Sequence, residues 1–355
     1  MSTPSKRVAF HTLGCKLNYS ETSTISRDFI VNGFEKVNFK DVADIYVINT
    51  CSVTENADKE ARKLIRQAKR RNQNSSIVVI GCYAQLQPGE INSIDDVDLV
   101  LGTNEKFKIL KYLDKLDLSQ NGTEICTEIK NTKVFNSSYS LDERTRAYLK
   151  VQDGCDYTCS FCTIPLARGK SRSDSIDNTI KVAKQIARSG KKEVVLTGVN
   201  VGDFGKKQNE SFHDLIKSLD KISGINRIRI SSIEPNLITD EVIDFCLTSK
   251  HFVPHFHIPL QSGSDRILRL MRRRYDTELY YDRIKKIKSV SRDTCIGVDV
   301  IVGFPGETEN DFIATYDYLN SLEISYLHVF SYSERLDTDA INMDDKVSPE
   351  IKKER

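Results

Sequence analysis

The chain lacks three things that would narrow its class at once: a long apolar run, a secretory opening and an excess of one charge. No stretch approaches the ~18 consecutive apolar residues of a membrane-spanning helix. The opening Met1-Ser2-Thr3-Pro4-Ser5-Lys6-Arg7 has no apolar signal segment. The expectation is a cytoplasmic protein with no membrane partner. Fifty-two Lys and Arg stand against 50 Asp and Glu, a net charge of +2, so nucleic-acid binding would have to rest on local basic patches. Histidine is scarce: His11, His213, His251, His255, His257 and His328 are scattered and read as core or surface residues rather than metal ligands.

What is present is an ordinary globular composition, 29% charged and 39% apolar, over 355 residues, long enough for two domains with separate cores. The nine cysteines suit a reducing compartment, where thiols serve metals or chemistry rather than disulfides. Three of them crowd into Cys155-Asp156-Tyr157-Thr158-Cys159-Ser160-Phe161-Cys162, just after a strand-like run at 147–151. So short a loop can turn its sulfurs onto one soft-metal object. Closed zinc and iron–sulfur sites commonly take four thiolates, but the next cysteine is Cys246. Three ligands would leave one metal position open to a reactant. The spacing alone also fits a zinc knuckle with a distant fourth ligand, or three unrelated buried thiols.

The first part of the chain alternates strand-like and helix-like segments. Strands are expected at 8–13, 44–49, 77–80 and 98–101, with helices at 21–32 and 55–71. This rhythm predicts a doubly wound parallel α/β sheet over residues 1–118. Cys15, Cys51 and Cys82 each follow a predicted strand, at the edge where such sheets bind ligands. Each alone would read as a small buried hydrophobe. Together they suggest a second incomplete three-thiolate site. Residues 119–145 turn polar and read as a linker, with weak strands near Ile125 and Val134. From 146 a second α/β series follows, with strands expected at 147–151, 193–197, 227–232, 255–258, 297–302 and 326–330, separated by helical stretches.

Gly154-Cys155-x3-Cys159-Ser160-Phe161-Cys162 resembles the radical S-adenosylmethionine (SAM) enzymes. Leu13-Gly14-Cys15-Lys16-Leu17-Asn18, Asn49-Thr50-Cys51-Ser52 and Gly81-Cys82-Tyr83-Ala84 look like the amino-terminal domain of the methylthiotransferases. The resemblance runs from about Arg7 to Arg355, and the first motif is most similar to the branch acting on N6-threonylcarbamoyladenosine in tRNA. It implies a partial (β/α)6 barrel over 146–331 and two [4Fe-4S] clusters. Cys155, Cys159 and Cys162 would be the catalytic ligands, leaving one iron open to SAM. Cys15, Cys51 and Cys82 would hold the auxiliary cluster. SAM contacts are implied for Phe161, Thr197, Gly198, Asn200, Ser232, Glu234, Gln261, Gly303 and Phe304. The implied reaction adds a methylthio group to adenosine beside the anticodon, one SAM giving the methyl group and one the 5′-deoxyadenosyl radical. Implied partners are the tRNA anticodon stem-loop, a reductant such as flavodoxin or ferredoxin, and a sulfur donor the sequence does not name.

Basic residues cluster along 59–71, along 266–274 and at Arg168, Lys170 and Arg172, the last group beside the cysteine loop and expected to contact RNA. Alternative readings are a sister methylthiotransferase acting on isopentenyladenosine or a ribosomal-protein aspartate, and a non-enzymatic iron–sulfur or zinc scaffold that binds RNA. A cobalamin-dependent radical-SAM methylase would carry an Asp-x-His-x-x-Gly loop, and none occurs. Residues 332–355 read as the start of a carboxy-terminal extension. The family's small RNA-holding barrel (TRAM) is not in the sequence, so the chain is expected to be a fragment.

Overall fold

Runs such as Ile45-Tyr46-Val47-Ile48 and Ile77-Val78-Val79-Ile80 are apolar on both faces, which suits strands covered on both sides. In the computed structural model, which describes residues 5–115, 122–141 and 145–355, they form the centre of a parallel sheet. Residues 1–4, 116–121 and 142–144, which include the opening, the end of the expected first domain and parts of the expected linker, lie outside the described residues. The chain divides into two units: Met1–Asp142 with Thr163–Lys170, and Glu143–Cys162 with Ser171–Arg355.

The first unit holds β1 (Arg7–Thr12), β2 (Glu35–Val37), β3 (Ile45–Thr50), β4 (Ser76–Gly81), β5 (Leu99–Leu101) and β6 (Thr123–Ile125), in the order β2-β1-β3-β4-β5-β6. Every pairing is parallel. Its helices are α1 (Lys16–Val31), α2 (Glu55–Arg71), α3 (Cys82–Leu86), α4 (Pro88–Asn92), α5 (Ile109–Leu113) and α6 (Ile164–Arg168). One sheet face packs Ala9, Tyr46, Ile48, Ile77 and Val79 against Ala61, Leu64, Ile65 and Ala68 of α2. The other packs Val8, Val47, Val78 and Ile80 against Ile25 and Phe29 of α1. Two apolar faces are what a doubly wound sheet requires. The predicted bounds of α2 are those observed, its start fixed by the Thr54 side chain accepting from the Ala57 N–H. Part of the expected linker is instead the sheet's edge, since β6 pairs with β5; Val134 lies in no strand.

In the second unit β7 (Arg146–Lys150), β10 (Glu193–Thr197) and β11 (Arg227–Ile230) form one parallel trio, and β12 (His255–His257), β13 (Cys295–Val302) and β14 (Tyr326–Ser331) another. Parallel bridges between Ile228 and Phe252 and between Ser232 and His257 join the trios. The result is a six-stranded partial barrel in sequence order. β8 (Gln152–Asp153) and β9 (Arg172–Ser173) pair antiparallel at its rim. The crossovers are α7 (Ile176–Arg188), α8 (Phe212–Leu219), α9 (Asp240–Thr248), α10 (Asp265–Leu270), α11 (Thr277–Val290) and α12 (Glu309–Ser321), with α13 (Pro349–Glu354) following β14. Ser175, Ser211, Thr239, Ser264, Asp276 and Thr308 cap α7 to α12 in turn through their side chains. Among the described residues no helix is long and apolar enough to cross a membrane.

Candidate metal centres and cofactor site

In the first unit the order β2-β1-β3 reverses between β1 and β3, and ligands bind at such a switch point. Cys15 follows β1, Cys51 follows β3 and Cys82 follows β4, so the three thiols cap three adjacent strands at their carboxyl ends. Cys15 is exposed, whereas Cys51 and Cys82 are buried. The turns approach closely: a Cβ on Gly14 would stand 2.6 Å from the Cys51 Cβ and 2.8 Å from its Sγ. Burial, reinforced by Cys82, pushes the Cys51 thiol up to about 12, and burial raises Cys82 as well. Thiolates here need a metal or neighbouring cations for stability.

Three hydrogen-bonding side chains tie the turns together. Asn18 donates to the carbonyls of Leu13 and Thr50, both at 3.0 Å, joining the first two cysteine turns. The Thr50 hydroxyl donates to the Ile80 carbonyl at 2.6 Å, joining the second to the third. Asn49 donates to the Asn18 carbonyl at 3.0 Å. Beside them lie Glu21, Lys106 and Arg168, all fully buried. Lys106 Nζ is 2.6 Å from Glu21 Oε2, Arg168 Nη1 is 3.1 Å from Glu21 Oε1, and Arg168 also donates to Asn18.

This corrects the expectation for Arg168, which is enclosed with a carboxylate and cannot meet an RNA phosphate. Arg172 is corrected in the same way, since it is buried 3.0 Å from Asp153, which Lys150 also meets at 2.7 Å. Lys170 is exposed, as a phosphate contact would be. Several cations of α2 are also engaged: Lys59 with Glu55, Arg62 with Glu90 and Lys69 with Asp98.

In the second unit the loop Cys155–Cys162 follows β7 and β8, at the carboxyl ends of the barrel strands where such folds place their sites. It is held from several sides. The Ser160 N–H donates to Met271 O, its hydroxyl to Leu270 O, and Asp156 accepts from the Ser171 N–H. Arg274 lies 4.0 Å over the Tyr157 ring, whose hydroxyl accepts from Asn236. Burial pushes the Cys155 thiol up to about 12, partly offset by the Tyr157 N–H. Arg273 donates to Cys159 Sγ at 3.2 Å and pairs with Glu234. In the sequence Gln152 only flanks the cysteine motif and Arg273 is only one member of the basic cluster at 266–274. Gln152 Oε1 accepts from the N–H groups of Val199 and Asn200, while its Nε2 donates to Gly154 O, so it fixes the β10 loop against the cysteine loop.

The expected SAM segments gather at these strand ends with two corrections. Thr197 and Asn200 are buried, and the Asn200 Oδ1 has no protein partner, an orphaned acceptor that a bound ligand would satisfy. Gly198 lies against Gln152. Ser232 is 2.6 Å from His257 Nδ1, and Gln261 pairs by backbone with Val300. Gly303, however, faces the Lys352 stem, where an added Cβ would lie 2.3 Å away. Phe304 is wholly enclosed with Ile267, Met271 and Tyr332 and meets Phe161 edge-on at 6.2 Å. Its ring supports Phe161 rather than stacking on a ligand. His257 and His328, expected as core or surface residues, converge on Asp299 at 2.9 and 3.0 Å.

The partial barrel and its three-thiol loop define a radical SAM enzyme: residues 149–319 match the Radical SAM superfamily, and residues 7–102 match a family described as Uncharacterized protein family UPF0004. A Bacillus subtilis protein named threonylcarbamoyladenosine tRNA methylthiotransferase MtaB is 45% identical over 98% of this chain and 78% of its own length. Its namesake in Aquifex aeolicus is 42% identical over 98% and 86%. A tRNA-2-methylthio-N(6)-dimethylallyladenosine synthase from Hydrogenobaculum is 35% identical over 97% and 80%. The chain belongs to the MtaB family of radical-SAM methylthiotransferases. Among solved structures, the radical SAM methyltransferase TsrM from Kitasatospora setae superposes with a TM-score of 0.67 at 14% identity, over 92% of this chain and 73% of that one. That likeness is one of fold.

Proposed function

We propose that this chain converts N6-threonylcarbamoyladenosine beside the tRNA anticodon to its 2-methylthio derivative, with one SAM as methyl donor and a second as radical source. The observation that supports this reading is the position of two groups of three cysteines, one in each unit, each at the carboxyl ends of parallel strands. Cys155, Cys159 and Cys162 would hold a [4Fe-4S] cluster, which together with SAM would supply the reductive chemistry that generates a 5′-deoxyadenosyl radical. Cys15, Cys51 and Cys82 would hold a second [4Fe-4S] cluster that would supply the sulfur.

Around these groups the side chains orient and exclude. Arg273 sets a cation against Cys159 and fixes Glu234, which accepts from the ribose or amino group of SAM. Gln152 holds the β10 loop so that Asn200 presents its orphaned acceptor. Thr197, Gly198, Ser232 and Gln261 complete the cradle, and Phe161 shields it. Lys170 contacts the tRNA backbone. A flavodoxin- or ferredoxin-type reductant delivers the electron, and the reaction takes place in the cytoplasm.

Mass spectrometry of tRNA nucleosides from cells lacking the gene and re-expressing it tests the reading. The 2-methylthio form of threonylcarbamoyladenosine should disappear and return. Loss and return of the isopentenyl counterpart instead would assign the chain to the sister activity.

A further inference from the structure

A carboxylate and two cations are enclosed beside the thiols of the first unit. Glu21 is 0% exposed and Lys106 and Arg168 are each 1% exposed. Burying such groups costs several kcal/mol per ion unless the geometry is well matched, so their place against a metal site calls for a reason. The geometry supplies one. Glu21 holds both cations, Arg168 donating to both carboxylate oxygens and Lys106 to Oε2, and Arg168 also donates to Asn18. Asn18 in turn clamps the carbonyls beside Cys15 and Cys51. Arg168 sits in α6, whose Ala167 carbonyl accepts from Thr103 at 2.7 Å within the same unit. The guanidinium is thus fixed from both ends.

We infer that Arg168 and Lys106, held by Glu21, are positioning residues that stabilise negative charge at the Cys15–Cys51–Cys82 centre and favour an additional anionic sulfur ligand, a hydrosulfide or thiolate, on it. The inference rests on the proposed second cluster. Three thiolates already make such a cluster anionic, and a fourth sulfur anion adds to the charge. In a low-dielectric interior a fixed cation opposes that build-up far better than solvent does.

The experiment uses the full chain with Cys155, Cys159 and Cys162 replaced by Ala, so that only the amino-terminal centre can hold iron. About four irons per chain are expected on anaerobic reconstitution; no iron would overturn the second cluster itself. With iron present, the midpoint potential is read by redox titration with EPR detection, and affinity for hydrosulfide by optical titration. R168M should lower the potential and weaken hydrosulfide binding on the order of tenfold. R168K should retain most of both, and E21Q should move the potential the opposite way. If R168M does not take up iron, K106M and E21Q carry the same opposed signs. Shifts of one sign in both classes, or none in either, would mean that the buried ions only hold the fold together.

Discussion

Gly81 offers a quantitative test of how tightly the cysteine turns are built. It ends β4 one residue before Cys82, with φ 102° and ψ −164°, a region essentially closed to residues with a Cβ. An alanine Cβ there would stand 2.4 Å from Thr50 O, 2.5 Å from Asn49 Oδ1 and 2.6 Å from Thr50 N. None of these can retreat cheaply, because Asn49 and Thr50 end the adjacent strand β3 and Cys51 follows. Gly33 is the internal control: its φ is 87° but nothing lies within 4 Å of its added Cβ. Gly33→Ala should cost about 1–2 kcal/mol, the backbone penalty alone. Gly81→Ala should cost about 1–3 kcal/mol for its backbone and about 1–3 more for the overlap. That is a large share of a domain stability of about 5–15 kcal/mol. Urea unfolding of the iron-free chain, followed by far-UV circular dichroism and by proteolysis of the first unit, gives both values. Gly81→Ala should also fail to hold iron at the amino-terminal centre when Cys155, Cys159 and Cys162 are Ala. A Gly81→Ala cost no greater than that of Gly33→Ala, with iron retained, would show that these turns are not held as described.

Three further outcomes are expected. Anaerobically reconstituted chain should hold about eight irons, and replacing Cys155, Cys159 and Cys162 by Ala should halve that; stoichiometric zinc without iron would refute the assignment. Replacing Cys15, Cys51 and Cys82 should leave reductive cleavage of SAM to 5′-deoxyadenosine while abolishing methylthio product. Replacing the other triplet should abolish both, and cleavage that survived would place the radical site elsewhere. Burial alone would raise Asp311, but hydrogen bonds from Arg266, Thr308 and Ser264 hold its carboxyl well below the usual carboxylate range. Its contribution is therefore present above the unfolded pKa of about 4 and fades as pH falls below it. Asp311→Asn should cost about 1–3 kcal/mol at pH 7 and less at pH 3 in urea titrations of the iron-free chain; an equal loss at both would remove the ionic explanation.

Much of this was legible because local pattern and chemistry coincide. The βαβ rhythm alone puts Cys15, Cys51 and Cys82 at strand ends, and α2 and β10 have the bounds their residues predict. What was not legible depends on partners far away in sequence. Arg168 and Glu21 are 147 residues apart, and a basic cluster read in isolation looks like a surface patch. Phe304 and Gly303 sit in a motif that suits a ligand, but Tyr332 and Lys352 reach them from beyond β14. The three-residue β2 is exposed along one edge, so it carried no hydrophobic signal, and β6 is equally short. The histidines looked scattered because β12, β13 and β14 bring His257 and His328 to Asp299 only once the barrel is closed.

The first unit is discontinuous, since it recruits Thr163–Lys170 across an intervening stretch that belongs to the other unit. This sets an order of events during synthesis. All six strands of its sheet have left the ribosome's active centre once Ile125 is added, but Arg168 is 43 residues further on. At about 5–20 residues per second, the sheet waits roughly 2–9 seconds before Glu21 can receive its second cation. Through that interval the nascent sheet can hold Lys106 against Glu21 while Asn18 still lacks its guanidinium. A chain stopped at Asp142 would remain there permanently, with its cysteine turns joined by Asn18 and Thr50 but without α6 to complete them.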